Sequence, residues 1–280
     1  MTISRRFVQC DVFTSVPTKG NALAVVVDGD GLSDEQMQSF ARWTNLAETT
    51  FLMKAESPDA DYKVRIFTPA REMPFAGHPT LGSCMTWLEM GGVPKHPRTV
   101  KQECGVGIVN IDLTGDIPAF VAPPTIINPM QDVEKARIME RLGLHADQVL
   151  NTAELNNGPI WQAFELDSSA SVLAVDSALV KWPEFKAIGL IGQTAKGCGT
   201  DFEVRMLAPS SGMSEDPITG SLNAAIACWF HENGRLDRPL VVSQGTNIDR
   251  IGRVAISLAQ NGSILVGGNV HFLIKGEVHI

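Results

Sequence analysis

Two side chains that can carry protons precede proline in segments that look like helix starts. His78 precedes Pro79, and Asp216 precedes Pro217. Proline suits the first turn of a helix, so both side chains are predicted at helix starts. A buried helix start has unpaired N–H groups and a partial positive charge, which a carboxylate ligand can satisfy. An imidazole and a carboxylate at two such starts would be unlike partners for general acid–base catalysis on a small carboxylate.

Glu48 is the third candidate for proton chemistry. It lies at a predicted junction between a helix and a strand, flanked by Leu46 and Phe51. Partial burial at such a junction would suit a carboxylate that takes up and returns a proton. The sequence therefore offers three candidate catalytic residues of two chemical types.

Each candidate also has an interpretation without catalysis. Aspartate before proline at a helix start is a common N-cap. The histidine can be a core or capping residue, and Glu48 can be a solvated loop carboxylate. By residue type alone, three other glutamates have comparable claims: Glu35, Glu72 and Glu215. Residue type therefore leaves the site open, and the surrounding elements must decide it.

The composition argues against several classes of partner. The chain has 280 residues, of which 44% are hydrophobic, and a net charge of -8. No basic stretch offers a surface for phosphates, so nucleic acid is not an expected partner. No apolar run approaches the roughly 20 residues that span a bilayer, and the N-terminal segment lacks a signal-peptide pattern. We therefore expect no membrane contact and a cytoplasmic location.

The cysteines are an odd and scattered set of five. They form no C-x-x-C pair and have no histidine in ligand spacing, so neither a disulfide framework nor a zinc site is indicated. Reduced, mostly buried thiols are the prediction. They are Cys10, Cys84, Cys104, Cys198 and Cys228.

An internal duplication connects the two helix starts. The segment VRIFTP (64–69) matches VRMLAP (204–209) at an offset of 140 residues. HPTLGS, which begins at His78, matches DPITGS, which begins at Asp216, at an offset of 138. Two ordered blocks with nearly the same spacing predict a duplicated domain. In this alignment His78 and Asp216 occupy matched positions in the two copies.

The segments that follow these starts predict the architecture. Residues 79–88 and 217–230 contain no charged side chain, unlike the one-sided stripe of a surface helix. Both helices are therefore expected to be buried on most faces, among many short strands. The predicted fold is α+β, with two pseudo-symmetric β-barrel or β-roll domains, each wrapped around a central α-helix.

The domain boundary is expected near APPTIINP (122–129), which has the composition of a linker. We assign residues 1–118 to the first half, which the C-terminal strand 270–280 could complete, and residues 119–280 to the second half. A further helix is predicted near 169–180.

Four segments together resemble the PhzF-like family of phenazine biosynthesis proteins, which share the diaminopimelate epimerase fold. The segments are CDVFTSVPTKGNALAVV, NLAETTF, RIFTPAREMPFAGHPTLG and SEDPITGSLNAA, and the resemblance extends over nearly the whole chain. The resemblance implies two related β-barrel-like halves, an active site between them and no cofactor. It also makes a homodimer an expectation.

The resemblance implies a role for each candidate residue. In the family's isomerase the glutamate of the N-L-x-E segment is the base that moves the proton, and it corresponds to Glu48. The family's active-site histidine and aspartate, which orient substrate or assist proton transfer, correspond to His78 and Asp216. The positions that would bind the substrate carboxylate are Gly77, Gly220 and Ser221.

The predicted function is that of a cofactor-independent isomerase without a metal. It would move a proton and a double bond in a small carboxylate by carboxylate acid–base catalysis in the cleft between the halves. A two-cysteine epimerase mechanism is disfavoured, because no cysteine stands beside His78 or Asp216. The alternatives are a racemase, epimerase or lyase acting on another small amino or hydroxy acid, and a non-catalytic protein that binds a small molecule.

Overall fold

The computed structural model describes residues 3–179, 187–208 and 213–280. These residues divide into two compact units. The first contains the chain up to Val121 together with Gly267–Ile280, and the second contains Ala122–Val266. Among the residues described, no helix is both long enough and apolar enough to cross a bilayer.

The first unit is a set of strands with two helices. The strands before the first long helix are β1 (Ser4–Val12) and β2 (Asn21–Val26). Then follow α1 (Asp34–Thr44), β3 (Glu48–Met53), β4 (Tyr62–Phe67), β5 (Glu72–Met73), α2 (Gly77–Glu89), β6 (Thr99–Cys104), β7 (Gly107–Asp112) and β8 (Ala119–Val121).

The second unit repeats this mixture of elements. Its elements are β9 (Ile126–Asn128), α3 (Asp132–Leu142), β10 (Val149–Asn156), β11 (Ile160–Leu166), α4 (Ser169–Ala174), β12 (Ala187–Gln193), β13 (Phe202–Ala208), β14 (Met213–Asp216), α5 (Gly220–Glu232), β15 (Leu240–Gln244), β16 (Gly252–Leu258) and β17 (Ile264–Gly267). The last strand, β18 (Val270–His279), pairs antiparallel with β1 and so belongs to the first unit.

Two of the predicted elements differ from the structure. The segment 122–129, predicted as a linker, contains β9, whose residues pair antiparallel with β10. The helix predicted near 169–180 ends at Ala174, and Val180 lies outside the described residues. The prolines on both sides of this short strand favoured the prediction of a linker. Proline restricts the chain but does not exclude an edge strand.

The central helices are buried, as their lack of charge predicted. In the first unit α2 contacts β1, β2, β3, β6 and β18, and in the second α5 contacts β10 and β16. Gly82 on α2 shows how closely the strands approach. A Cβ built there would lie 2.5 Å from Leu23 Cδ2 and 3.0 Å from Cys10 Sγ. Each unit is thus a curved arrangement of strands around one helix, which confirms the predicted fold class.

The duplication is visible in the strand pairings of the two units. Tyr62 of β4 pairs in parallel with Gln102 of β6, and 140 residues later Phe202 of β13 pairs in parallel with Val242 of β15. In both units an antiparallel partner, β5 or β14, follows the first strand and precedes the central helix. Pro209, the last residue of the second matching block, lies outside the described residues.

The helices, however, are related by an offset of 143 residues and not 138. The N-cap residues are Ala76 and Thr219, and α2 and α5 have equal lengths of 13 residues. On this alignment His78 corresponds to Ser221, so the predicted match of His78 with Asp216 is wrong. Strand register gives Asp216 a different counterpart, since Ile66 pairs with Met73 where Met206 pairs with Asp216. The loop that precedes the central helix has a different length in each unit. A sequence match across a gap cannot show where that difference lies.

Candidate active site

Glu48 and His78 contact each other within the first unit. His78 Nε2 lies 3.3 Å from Glu48 Oε2. The histidine side chain is 5% exposed and the glutamate side chain 18% exposed. Two of the three sequence candidates are therefore brought together, and Glu48 is not the solvated loop carboxylate of the alternative interpretation.

Glu48 is positioned by the way α1 ends. The helix begins with a capping box, in which Ser33 accepts from the Gln36 N–H and the Gln36 side chain accepts from the Ser33 N–H. It ends at Asn45, whose left-handed backbone (φ 54°) turns the chain into β3. Glu48 is the first residue of that strand and pairs in parallel with Leu23 of β2. The tight turn thus places the carboxylate at the very start of a buried strand.

His78 is positioned by hydrogen bonds that fix the first turns of α2. The Ser83 hydroxyl donates to Thr50 Oγ1 of β3 at 2.9 Å. The Thr80 hydroxyl donates to the Ala76 carbonyl and accepts from Gln102 Nε2. The bonds to Thr50 and from Gln102 are buried and the bond to Ala76 is partly buried, so water replaces them poorly. They hold the helix start against β3 and β6 and therefore hold the imidazole beside Glu48.

Burial determines the charge of the imidazole. Removal from solvent lowers the pKa of His78 to about 3, because burial penalises the charged form. At neutral pH the contact therefore joins a carboxyl group to a neutral imidazole. A neutral imidazole has one nitrogen that donates and one that accepts. It can thus stay in contact with Glu48 whether that carboxyl is ionised or protonated.

Asp216 lies in the second unit, at the end of β14 and before α5. It is 8% exposed and accepts a hydrogen bond from the Thr219 hydroxyl. Gln244 of β15 donates to the Asp216 carbonyl and to Thr219 Oγ1. The N-cap of α5 is Thr219, so the interpretation of Asp216 as the N-cap is wrong. Asp216 is therefore buried as part of a polar network and does not cap the helix.

The three predicted carboxylate-binding residues lie at helix starts. Gly77 is the first residue of α2, and Gly220 and Ser221 are the first two residues of α5. Neither N-cap, Ala76 or Thr219, makes a side-chain cap bond to its helix. The first N–H groups of a helix have no intrahelical partner. These starts therefore present the donors that suit a carboxylate, while the assignment of a ligand to them stays a prediction.

The other glutamates with comparable claims have different surroundings. Glu35 is exposed on α1. Glu72 binds Arg65 through two bonds, and Glu215 binds Arg205 through two bonds. A carboxylate that binds a guanidinium through both oxygens has those oxygens already engaged. Only tertiary structure could separate Glu48 from these three.

Sequence reasoning missed the polar network around Asp216. Thr219, Asn223 and Gln244 form it, and all three are buried. Thr219 and Asn223 stand in the SEDPITGSLNAA segment, where an i to i+4 spacing on one helix face was a usable indication. Gln244 had no such indication, because β15 follows more than twenty residues later.

The five cysteines are free of disulfides, and three of them are buried. Burial raises the pKa of Cys10 to about 12 and also raises the pKa of Cys84 and Cys104. Thiolates are the reactive form, so these side chains are poorly suited to proton abstraction. Among the residues described, no group of three or more His, Cys, Asp or Glu side chains could hold a metal. The predicted absence of a cofactor stays a prediction.

Solved structures share this fold over the full chain. A phenazine biosynthesis protein of the PhzF family from Bacillus anthracis aligns with a TM-score of 0.84 and 22% identity, over 99% of this chain and 100% of the other. A predicted epimerase from Pseudomonas aeruginosa aligns with a TM-score of 0.80 and 26% identity, over 98% and 99%. The fold is therefore the diaminopimelate epimerase-like fold that isomerases and epimerases use.

The family follows from the sequence comparisons. The model of the PhzC-PhzF family, described as phenazine biosynthesis-like proteins, matches residues 10–276. Antisense-enhancing sequence 1 of Schizosaccharomyces pombe is 33% identical over 98% of each chain. Trans-2,3-dihydro-3-hydroxyanthranilate isomerase of Pseudomonas fluorescens is 31% identical over 87% of each chain. The chain belongs to the phenazine biosynthesis-like family, as its motifs predicted, and is an enzyme of the isomerase class.

Proposed function

We propose that this enzyme moves a proton between two carbons of a small carboxylate substrate, and a double bond with it, using Glu48 as the base. The observation that carries the proposal is the 3.3 Å contact between Glu48 Oε2 and His78 Nε2. A carboxylate that is largely removed from water is a stronger base toward a carbon acid than a solvated one. The buried imidazole lies in direct contact with it and so limits the orientations open to the carboxylate.

The proton cycle needs a partner that tolerates both forms of Glu48. As a carboxylate, Glu48 accepts the proton that leaves the first carbon. As a carboxylic acid, it returns the proton to the second carbon. A neutral imidazole can donate to the first form and accept from the second, because its two tautomers exchange the roles of the nitrogens. The pKa of His78, lowered to about 3 by burial, supports this role.

The substrate class is supported by the relatives and by the helix starts. Two relatives that are 31% and 32% identical are named trans-2,3-dihydro-3-hydroxyanthranilate isomerase, a name that specifies a small ring carboxylate. The uncapped starts of α2 and α5 suit such a carboxylate. In this proposal Gly77, Gly220 and Ser221 bind it, and Asp216 helps to orient the substrate.

The test uses substitution of the base in heavy water. Wild-type protein and Glu48→Gln are incubated in D₂O with trans-2,3-dihydro-3-hydroxyanthranilate, and with a panel of small amino and hydroxy acids. Products and deuterium content are followed by NMR. We expect a shifted double bond with the wild type, and a loss of at least about 10²-fold in rate with Glu48→Gln. Glu35→Gln, on the exposed face of α1, is the matched control and should retain full turnover.

The results separate the remaining alternatives. Undiminished turnover by Glu48→Gln would refute the base assignment. Inverted stereochemistry without a shifted double bond would identify an epimerase, which the 26% identical predicted epimerase makes the second candidate. Lost water would identify a lyase. Binding of trans-2,3-dihydro-3-hydroxyanthranilate without deuterium incorporation or product would refute this compound as the substrate.

Association and location stay predictions of the sequence. A homodimer would elute with about twice the chain mass of 30.2 kDa in size-exclusion chromatography with light scattering. A monomer at micromolar concentration would contradict this expectation. A cytoplasmic location is tested by fractionation of the cells that produce the protein.

A further inference from the structure

The side chains around Asp216 form a hydrogen-bonded chain with a fixed direction. Gln244 Oε1 accepts from the Thr219 N–H at 3.1 Å and from Asn223 Nδ2 at 2.9 Å. Because two donors meet this atom, it must be the amide oxygen and not the nitrogen. The other end of the amide is then Nε2, which can only donate.

The orientation of Gln244 fixes the Thr219 hydroxyl in turn. Gln244 Nε2 donates to Thr219 Oγ1 at 3.0 Å. A hydroxyl has one proton, and here the neighbouring amide already uses an acceptor site of its oxygen. The proton therefore points to the remaining partner, Asp216 Oδ2, to which Thr219 Oγ1 donates. Both Thr219 and Gln244 are buried, so water does not compete for these positions.

Asn223 completes the restraint on Gln244. Its Nδ2 donates both to Gln244 Oε1 and to the Thr219 carbonyl, at 2.9 Å and 3.0 Å. Asn223 is one turn into α5, and Gln244 ends β15. The amide of Gln244 is thus held by the helix on one side and its own strand on the other, and it cannot rotate without breaking bonds in a buried region.

The first unit contains a chemically similar chain with a different end. Gln102 Oε1 accepts from the Tyr62 hydroxyl at 2.7 Å, and Gln102 Nε2 donates to Thr80 Oγ1 at 3.1 Å. The Thr80 hydroxyl then donates to the Ala76 carbonyl at 2.9 Å. In both units a strand glutamine sets a threonine hydroxyl at the start of the central helix. Only in the second unit does the hydroxyl end on an ionisable side chain.

We propose that Thr219 and Gln244 are positioning residues for Asp216. Their chain keeps Oδ2 of Asp216 as a permanent acceptor of the Thr219 hydroxyl proton. Asp216 is thereby held in one rotamer as an orienting group. This inference rests on the proposed function, in which Asp216 belongs to the active site.

The first test is structural and does not depend on a substrate. Crystal structures of Thr219→Val and Thr219→Ser are compared with that of the wild type. Valine keeps the shape of threonine and removes the hydroxyl, whereas serine keeps the hydroxyl. We expect the Asp216 carboxylate to change rotamer in Thr219→Val and to keep it in Thr219→Ser. An unchanged carboxylate in Thr219→Val overturns the proposal.

The second test is kinetic, with trans-2,3-dihydro-3-hydroxyanthranilate as the probe. Thr219→Val should lower kcat at least about tenfold and change KM by less than about threefold, and Thr219→Ser should restore kcat to within about threefold. In an Asp216→Asn background, Thr219→Val should have no further effect, because Thr219 acts through Asp216. Thr80→Val is the matched control for loss of a buried threonine hydroxyl, and its effect should be the same in both backgrounds.

The outcomes distinguish the two proposals. Full loss in Asp216→Asn with normal kcat in Thr219→Val overturns the positioning role and leaves the proposed function in place. Normal turnover in Asp216→Asn overturns the role of Asp216 and, with it, this inference, while the Glu48 assignment stands on its own test. Additive losses from Asp216→Asn and Thr219→Val would show that Thr219 acts on stability and not through Asp216. If the wild type does not turn over the probe, that substrate is excluded and the crystal structures decide the positioning role.

Discussion

Arg205 and Glu215 form a buried ion pair that repeats, atom for atom, the pair formed by Arg65 and Glu72 in the other unit. In both pairs Nε donates to Oε1 and a terminal guanidinium nitrogen donates to Oε2. The Arg205 and Glu215 side chains are 2% and 1% exposed, whereas those of Arg65 and Glu72 are 19% and 42% exposed. The same contact is therefore part of the core in one copy and lies nearer the surface in the other.

Because the two pairs differ in burial, we expect mutations in them to lower the free energy of unfolding by very different amounts. Arg205→Met leaves the Glu215 carboxylate buried without its partner and also removes donors to the Val172 and Val175 carbonyls. We expect a loss of about 3–5 kcal/mol in the free energy of unfolding. Arg65→Met removes two pairs near the surface, with Glu72 and Asp34, and should cost about 1 kcal/mol or less for each. Urea unfolding of both variants measures the difference, and equal costs would contradict the burial argument.

His78 predicts a pH dependence of stability. Its pKa is about 3 in the folded protein, whereas an unfolded chain has a histidine pKa of about 6.5. Between these values the unfolded state binds the proton and the folded state does not. Stability from this residue is therefore complete above about pH 6.5 and is lost as the pH falls toward 3, with a slope of at most about 1.4 kcal/mol per pH unit.

The measurement is a series of urea unfolding curves between neutral and acid pH. His78→Gln has no titrating ring, so its free energy of unfolding should fall less steeply with acid than that of the wild type. Subtracting one free energy of unfolding from the other at each pH removes the contribution of the carboxylates, which both proteins share. Parallel pH profiles for the two proteins would contradict the lowered pKa.

Tyr62 is the single tyrosine of the chain. Its ionisation should therefore give an optical signal for alkaline unfolding. Burial raises its pKa well above the ordinary value of about 10. The folded protein therefore keeps the phenol proton where the unfolded chain loses it, and stability falls as the pH rises above about 10. Tyrosinate absorbance should appear together with loss of circular dichroism. Tyrosinate absorbance that appears near pH 10 while the dichroism is native would contradict burial.

Gly82 predicts a steric limit on the central helix of the first unit. A methyl group there would meet Leu23 Cδ2 at 2.5 Å and Val12 Cγ2 at 3.1 Å, and the latter belongs to a stiff β-branched side chain. Gly82→Ala should lower the free energy of unfolding by about 1–3 kcal/mol, despite the higher helix propensity of alanine. Gly115→Ala is the control, since its nearest atom is 3.8 Å away. A thermal unfolding measurement that finds Gly82→Ala as stable as this control would refute the close packing.

Local chemistry explains which elements were predictable. The capping box of Ser33 and Gln36 and the left-handed turn at Asn45 depend on residues three or four positions apart, so the sequence alone indicates α1. The charge-free segments after Pro79 and Pro217 likewise indicate buried helices. The strand β9 was missed because three residues beside prolines carry too little local pattern.

The correspondence between residues of the two copies was predictable in part. The matching strand blocks are correct at an offset of 140 residues, because strand register depends on side-chain alternation that the sequence preserves. The helix alignment was wrong by five residues, since the loop before each helix has its own length. His78 therefore corresponds to Ser221, and Asp216 corresponds to Met73. Neither counterpart is an acid or a base.

The sequence by itself determined the fold class, the family and the residue types from which a site can be chosen, because these follow from local patterns and from motifs along the chain. The tertiary structure decided which groups meet. It placed Glu48 beside a buried His78, held Glu72 and Glu215 in ion pairs, and brought Gln244 of a distant strand against Asp216. Burial and contact depend on residues far apart in the chain, and these same quantities set charge and orientation.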